Sequence, residues 1–224
     1  MPYAIINKIR MHYEVAGQGP PVLLVNGLGS PAVDWGLQVK ALTPHFQVIT
    51  FDNRGVGETD LPPEPVYTMG QMADDAATLL RHLKISCAHV VGVSMGGTVA
   101  LELALRYPRL VRSLVVASSW VKADARFLHT VESWMSLAFR VPVEERYRYV
   151  FYPWLFTPEF FERKENVEAA FQRALAYPHR TKAEAMRLSR RSLNSRELTS
   201  CVRRRSSRSG QGVSGPAARA KSPG

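Results

Sequence analysis

Four short apolar runs constrain this 224-residue chain more than any other feature. Residues 22–25, 47–51, 88–93 and 111–117 are rich in Val, Ile and Leu, have strand length and show no strict apolar–polar alternation. That pattern predicts strands covered on both faces. A helix is predicted over 69–83, with Met72, Ala76, Leu79, Leu80 and Leu83 on one side, and a second over 95–107, ended by Pro108. Residues 9–15 read as a further strand, turned by Gly17, Gly19, Pro20 and Pro21. Short apolar strands alternating with helices predict an α/β fold: a mostly parallel sheet with helices on both faces.

The pattern changes after Ser119. Residues 125–180 hold 13 of the 21 aromatic residues and suggest helices without a buried strand. The expected organisation is a core over 1–120, a helical cap over 121–200 and a tail over 201–224. In residues 202–224 the only aliphatics larger than Ala are Val202 and Val213, beside five Arg, five Ser and four Gly. Such a segment buries too little apolar surface to offset its ordering entropy, so the expectation is disorder.

Charge follows the same division. The net charge is +10, but residues 180–224 hold 12 basic and two acidic residues, and the first 179 residues are balanced at 17 of each. A wholly basic, nucleic-acid-binding domain is thereby excluded. Contact with nucleic acid through Arg203–Arg204–Arg205 and Arg208 is a distant alternative, since no aromatic residue lies nearby to stack on bases. The N-terminal stretch has no long apolar run, and no stretch approaches the roughly 20 apolar residues of a spanning helix. Cys87 and Cys201 form neither a disulfide framework nor a metal cluster. The expectation is a cytoplasmic protein with no membrane partner, no metal and no cofactor.

The chemistry concentrates in Gly92-Val93-Ser94-Met95-Gly96. This G-x-S-x-G pentapeptide follows a predicted strand and opens a predicted helix, the context a nucleophile elbow requires. The serine would sit in a strained turn with its hydroxyl raised above the sheet, and the glycines would permit close backbone approach. Two backbone N–H groups must face the developing oxyanion. Met95 supplies one and the Asn26-Gly27-Leu28-Gly29 turn the other, through Leu28.

Residues 1 to about 200 resemble the α/β-hydrolase superfamily, particularly small bacterial members such as 3-oxoadipate enol-lactonases and aminoacrylate hydrolases. The resemblance is carried by NGLGS (26–30), FDNRGVGETD (51–60), YTMGQMADDAATLLRHL (67–83), HVVGVSMGGTVALELALRYP (89–108) and VRSLVVASSW (111–120). It implies an α/β-hydrolase fold and hydrolysis of an ester, lactone or similar acyl bond of a small molecule. Ser94 would be the nucleophile, which excludes a carboxylate nucleophile of dehalogenase type. Leu28 and Met95 would hold the oxyanion. Asn26 stands where the family often has His, and Asp52 and Arg54 match a motif that braces the loops behind the site. The aromatic cap suggests a substrate with an apolar portion.

The resemblance also implies an acid and a histidine after the cap, in the order serine, acid, histidine. No Asp, Glu or His follows Glu197. The expectation is therefore a hydrolase lacking its C-terminal strands, by truncation or by a frameshift near codon 200, with impaired activity. The alternative is a catalytically inactive truncated hydrolase or pseudoenzyme. Asp124 is a candidate substitute acid, and His129 and His179 are candidate cap bases. His12, His45, His82 and His89 read as surface positions. Without further strands, 111–117 would form an exposed apolar edge, inviting self-association.

Overall fold

The computed structural model describes residues 2–64, 67–138, 140–142 and 145–176. A six-stranded sheet has the order β1-β2-β4-β3-β5-β6. β1 (Tyr3–Ile6) and β2 (Ile9–Ala16) form an antiparallel hairpin, and β2 pairs antiparallel with β4 (Gln47–Phe51). β3 (Pro21–Val25) lies parallel between β4 and β5 (Ala88–Val93), and β6 (Val111–Ala117) is parallel to β5. The four apolar runs are thus the parallel strands.

β1 was not expected from the sequence. Its turn consists of Asn7 and Lys8, both at positive φ (46° and 71°), and joins the register pair Ile6–Ile9. Two consecutive left-handed residues match the right-handed twist of a hairpin, and here Asn-Lys does this without glycine.

Helices cover both faces. α1 (Gly36–Leu42) follows a 3-10 turn over Ala32–Trp35. α2 (Met69–His82) begins with a reciprocal cap, in which Thr68 Oγ1 accepts from Gln71 N–H and Gln71 Oε1 accepts from Thr68 N–H. Its buried stripe includes Met72, Ala76, Leu79 and Leu80, packed with Val99 and Leu103 of α3 (Met95–Arg106) in the main core.

One charge lies inside that stripe. Asp75, 1% exposed, accepts Arg54 Nε at 2.8 Å and Nη2 at 3.0 Å, and Asn7 Nδ2 at 2.8 Å. Burial pushes its carboxyl above the ordinary aspartate value, while the Arg54 and Asn7 bonds pull it back. This cluster ties the β1–β2 turn, the 52–60 loop and α2 together.

His12 corrects the surface reading. It is 3% exposed, and its Nδ1 lies 2.9 Å from Asp52 Oδ2. The 52–60 loop folds over this end of β2: Thr59 Oγ1 accepts His12 N–H at 3.0 Å, and Asp60 N–H donates to Arg10 O. A strand position that looked solvated is covered by a loop distant in sequence.

β6 pairs only with β5 among the described residues, and Val115 and Val116 are 52% and 41% exposed. Its apolar composition reads as buried in sequence, yet among the described residues the strand stands at the sheet edge.

Beyond Trp120 the described chain is helical. α4 (Ala125–Ala138) is followed by a π-helical turn over Arg146–Phe151 that runs into α5 (Tyr152–Leu155), then α6 (Pro158–Glu162) and α7 (Lys164–Ala176). Val131 joins the main core, and Phe127, Leu128, Trp134 and Phe151 pack against it. The expected remainder of the cap and the tail at 201–224 lie outside the described residues. Among the described residues, no helix is long and apolar enough to cross a membrane.

Candidate active site

Ser94 stands alone between β5, which ends at Val93, and α3, which begins at Met95. Its backbone has φ 53° and ψ −124°. A side-chain-bearing residue holds such a conformation only when its surroundings impose it. Here Ser94 N–H donates to Ala117 O at 2.9 Å, extending the β5–β6 ladder. Ser94 O accepts Gly97 N–H at 3.0 Å and the Ser119 hydroxyl at 2.7 Å.

Glycine is required around this turn because the chain crosses itself. A Cβ on Gly92 would overlap Gly96 O and lie 2.7 Å from Gly97 Cα. A Cβ on Gly96 would overlap Val25 O and lie 2.5 Å from Asn26 O. The helix start therefore rests directly on the end of β3.

The loop after β3 meets the serine. A Cβ on Gly27 would lie 3.3 Å from Ser94 Cβ and 3.7 Å from its Oγ. The structure thus brings together the two segments singled out in the sequence, 26–29 and 92–96. Among the described residues, no hydrogen-bond acceptor occupies the N–H of Leu28 or of Met95. The Met95 N–H belongs to the first turn of a 12-residue helix, whose positive end favours anionic charge.

The other candidates fall elsewhere. Asp124 is exposed, and its Oδ1 accepts Phe127 N–H at 2.7 Å, capping α4. His129 is exposed on α4. His45 and His82 are exposed, while His89 Nδ1 lies 2.7 Å from Ser113 Oγ. His179 lies outside the described residues. Ser94 Oγ has no hydrogen-bond partner among the described residues. No group of three or more His, Cys, Asp or Glu that could hold a metal occurs among them.

Sequence reasoning did not find Asn53 or the role of the Asn26 side chain. Asn26 Nδ2 donates to Pro31 O at 2.6 Å, and Asn53 Nδ2 donates to Asn26 O at 3.3 Å. Their signal was faint: each follows close on the C-terminal end of a parallel strand, where ligands of open α/β sheets gather.

The family model of the alpha/beta hydrolase fold matches residues 20–199. The chain belongs to the α/β-hydrolase fold family. This α/β hydrolase is 39% identical over 120 residues to RutD of Agrobacterium fabrum, provisionally named a carbamate hydrolase, in an alignment covering 51% of this chain and 45% of that protein. The chain spans about half the length of the curated relatives it matches. Among solved structures, the enol-lactonase of Burkholderia xenovorans LB400 superposes with a TM-score of 0.73 at 28% identity, over 88% of this chain and 75% of that one. A thermophilic esterase from Thermogutta terrifontis gives 0.70 at 29% identity, over 87% of this α/β hydrolase and 72% of the esterase.

Proposed function

We propose that Ser94 is the nucleophile of an acyl-bond hydrolase acting on a small ester, lactone or related carbonyl compound. The observation that carries this reading is the pairing of a strained serine with two unoccupied donors. Ser94 projects from the β5–α3 turn, the 26–29 loop lies against it, and the N–H groups of Leu28 and Met95 are free among the described residues. Attack of Oγ on a carbonyl carbon moves negative charge onto the carbonyl oxygen, which those donors would stabilise. The names of the relatives, a carbamate hydrolase, an enol-lactonase and an esterase, support an acyl-type bond as the target.

Among the described residues no base is hydrogen-bonded to Ser94 Oγ. A serine hydroxyl without one is a weak nucleophile, and loss of a triad member costs on the order of 10⁴ to 10⁶ in turnover. We therefore propose that the described residues by themselves form an impaired hydrolase site. The bare Ser94 Oγ also favours a second reading, in which the chain is catalytically silent.

A fluorophosphonate probe separates the two. Covalent labelling mapped to Ser94 is expected, slow in buffer, faster when imidazole is added as an external base, and abolished by Ser94→Ala. Fast labelling insensitive to imidazole would mean that the chain carries its own base. No label on Ser94, with imidazole present, would leave only the silent reading.

A further inference from the structure

The N–H of Leu28 is held by no regular element. β3 ends at Val25, the 3-10 turn begins at Ala32, and the intervening loop passes Ser94 without strand or helix bonding. A donor useful to an oxyanion must nevertheless be fixed before the charge appears, because reorganisation at that moment cancels its benefit.

Buried side chains fix it instead. Asn26, 3% exposed, donates from Nδ2 to Pro31 O at 2.6 Å and so straps the two ends of the loop together. Asn53, 1% exposed, donates from Nδ2 to Asn26 O at 3.3 Å and holds the near end. Asp52, fully buried, accepts Ala32 N–H through Oδ1 at 2.6 Å and holds the far end. Its Oδ2 accepts Glu58 N–H at 2.9 Å and lies 2.9 Å from His12 Nδ1. Inside the strap, Ser30 N–H donates to Gly27 O at 3.4 Å.

We propose that Asn26 and Asn53 are positioning residues, whose carboxamides hold the 26–31 loop so that the Leu28 N–H stays fixed beside Ser94. The inference builds on the reading of Leu28 as an oxyanion donor. It assigns a role to the buried Asn26 carboxamide. At this position the essential feature is an N–H that reaches Pro31 O. Aspartate has nearly the same shape but offers an oxygen to a carbonyl oxygen, and would push the strap open.

The test uses the full chain with Asn26→Asp and Asn53→Ala. Asp74→Asn serves as a control: it removes the charge and one acceptor oxygen that Arg106 and Tyr107 bond at the C-terminal end of α3, away from the loop. Two readouts are taken. The first is the backbone order parameter of the Leu28 amide by nitrogen-15 relaxation. It is expected to fall from about 0.85 to below about 0.6 in both variants and to hold in the control. The second is the imidazole-assisted labelling rate of Ser94, expected to fall by roughly 10- to 100-fold in both variants. It should be unchanged in Asp74→Asn, even where that control melts at the same lowered temperature.

An unchanged order parameter, or labelling at the parent rate in both variants, overturns the proposal. So does a rate that tracks melting temperature across all three variants. If Asn26→Asp does not fold, Asn53→Ala decides alone. If the parent chain does not label at all, the nucleophile reading fails, and the order parameter still decides whether the strap exists.

Discussion

Gly96→Ala is expected to abolish the native fold or to lower its stability by at least about 3 kcal/mol. The added methyl would be driven into Val25 O and to within 2.5 Å of Asn26 O. Both obstacles are main chain, so no rotamer change relieves them. β3 is hydrogen-bonded on both sides, to β4 and β5, and cannot retreat. α3 cannot withdraw either, because Gly97 lies against Ser119, with a Cβ there only 2.6 Å from the Ser119 side chain. The clash must therefore lift the helix start off the sheet and with it the Ser94 turn. Chemical denaturation of the parent and variant checks this. A variant within about 1 kcal/mol of the parent would show that the helix start is less tightly seated than these distances require.

Arg54→Met is the second large effect, expected to cost about 3–5 kcal/mol at neutral pH. The arginine is 4% exposed and makes both of its described bonds to Asp75. Removing it leaves a buried carboxylate with, among the described residues, only Asn7 as hydrogen-bond partner. The pH dependence follows from the direction of the shift. Burial already holds the Asp75 carboxyl above the ordinary value in the folded protein, so the folded state keeps its proton to higher pH than the unfolded chain. Stability from such a group is greatest at acid pH and is lost as pH rises through the folded value. Losing Arg54 raises that value further. The deficit of the variant should thus be largest at neutral pH and shrink as pH falls towards 4. A deficit independent of pH would mean that Arg54 acts through packing on Tyr67, whose ring centroid lies 5.5 Å away, rather than through the ion pair.

The parallel strands were legible because their evidence is local. Gln47–Phe51 and Val111–Ala117 have the bounds their composition suggests. The β5–turn–α3 unit was legible for the same reason, since Gly92, Ser94 and Gly96 are a few residues apart. Features that depend on distant segments were not. The Asn7–Lys8 turn carries no glycine to announce it, and α1 buries no residue that would give it a stripe. His12 looked solvated because the loop covering it comes some 40 residues later. The strap over the 26–31 loop was invisible for a related reason: Asn26 and Asn53 meet only because β3 and β4 are neighbours in the sheet. The nucleophile position could be read, but the means of holding its companion donor could not.

Whether Ser94 and the two backbone donors form one site is decided by a crystal structure of the fluorophosphonate adduct, formed with imidazole present. The expected adduct has phosphorus bonded to Ser94 Oγ, with a phosphonyl oxygen about 2.7–3.1 Å from both the Leu28 and the Met95 nitrogens. An adduct on another residue, or a phosphonyl oxygen that reaches neither nitrogen, would contradict it.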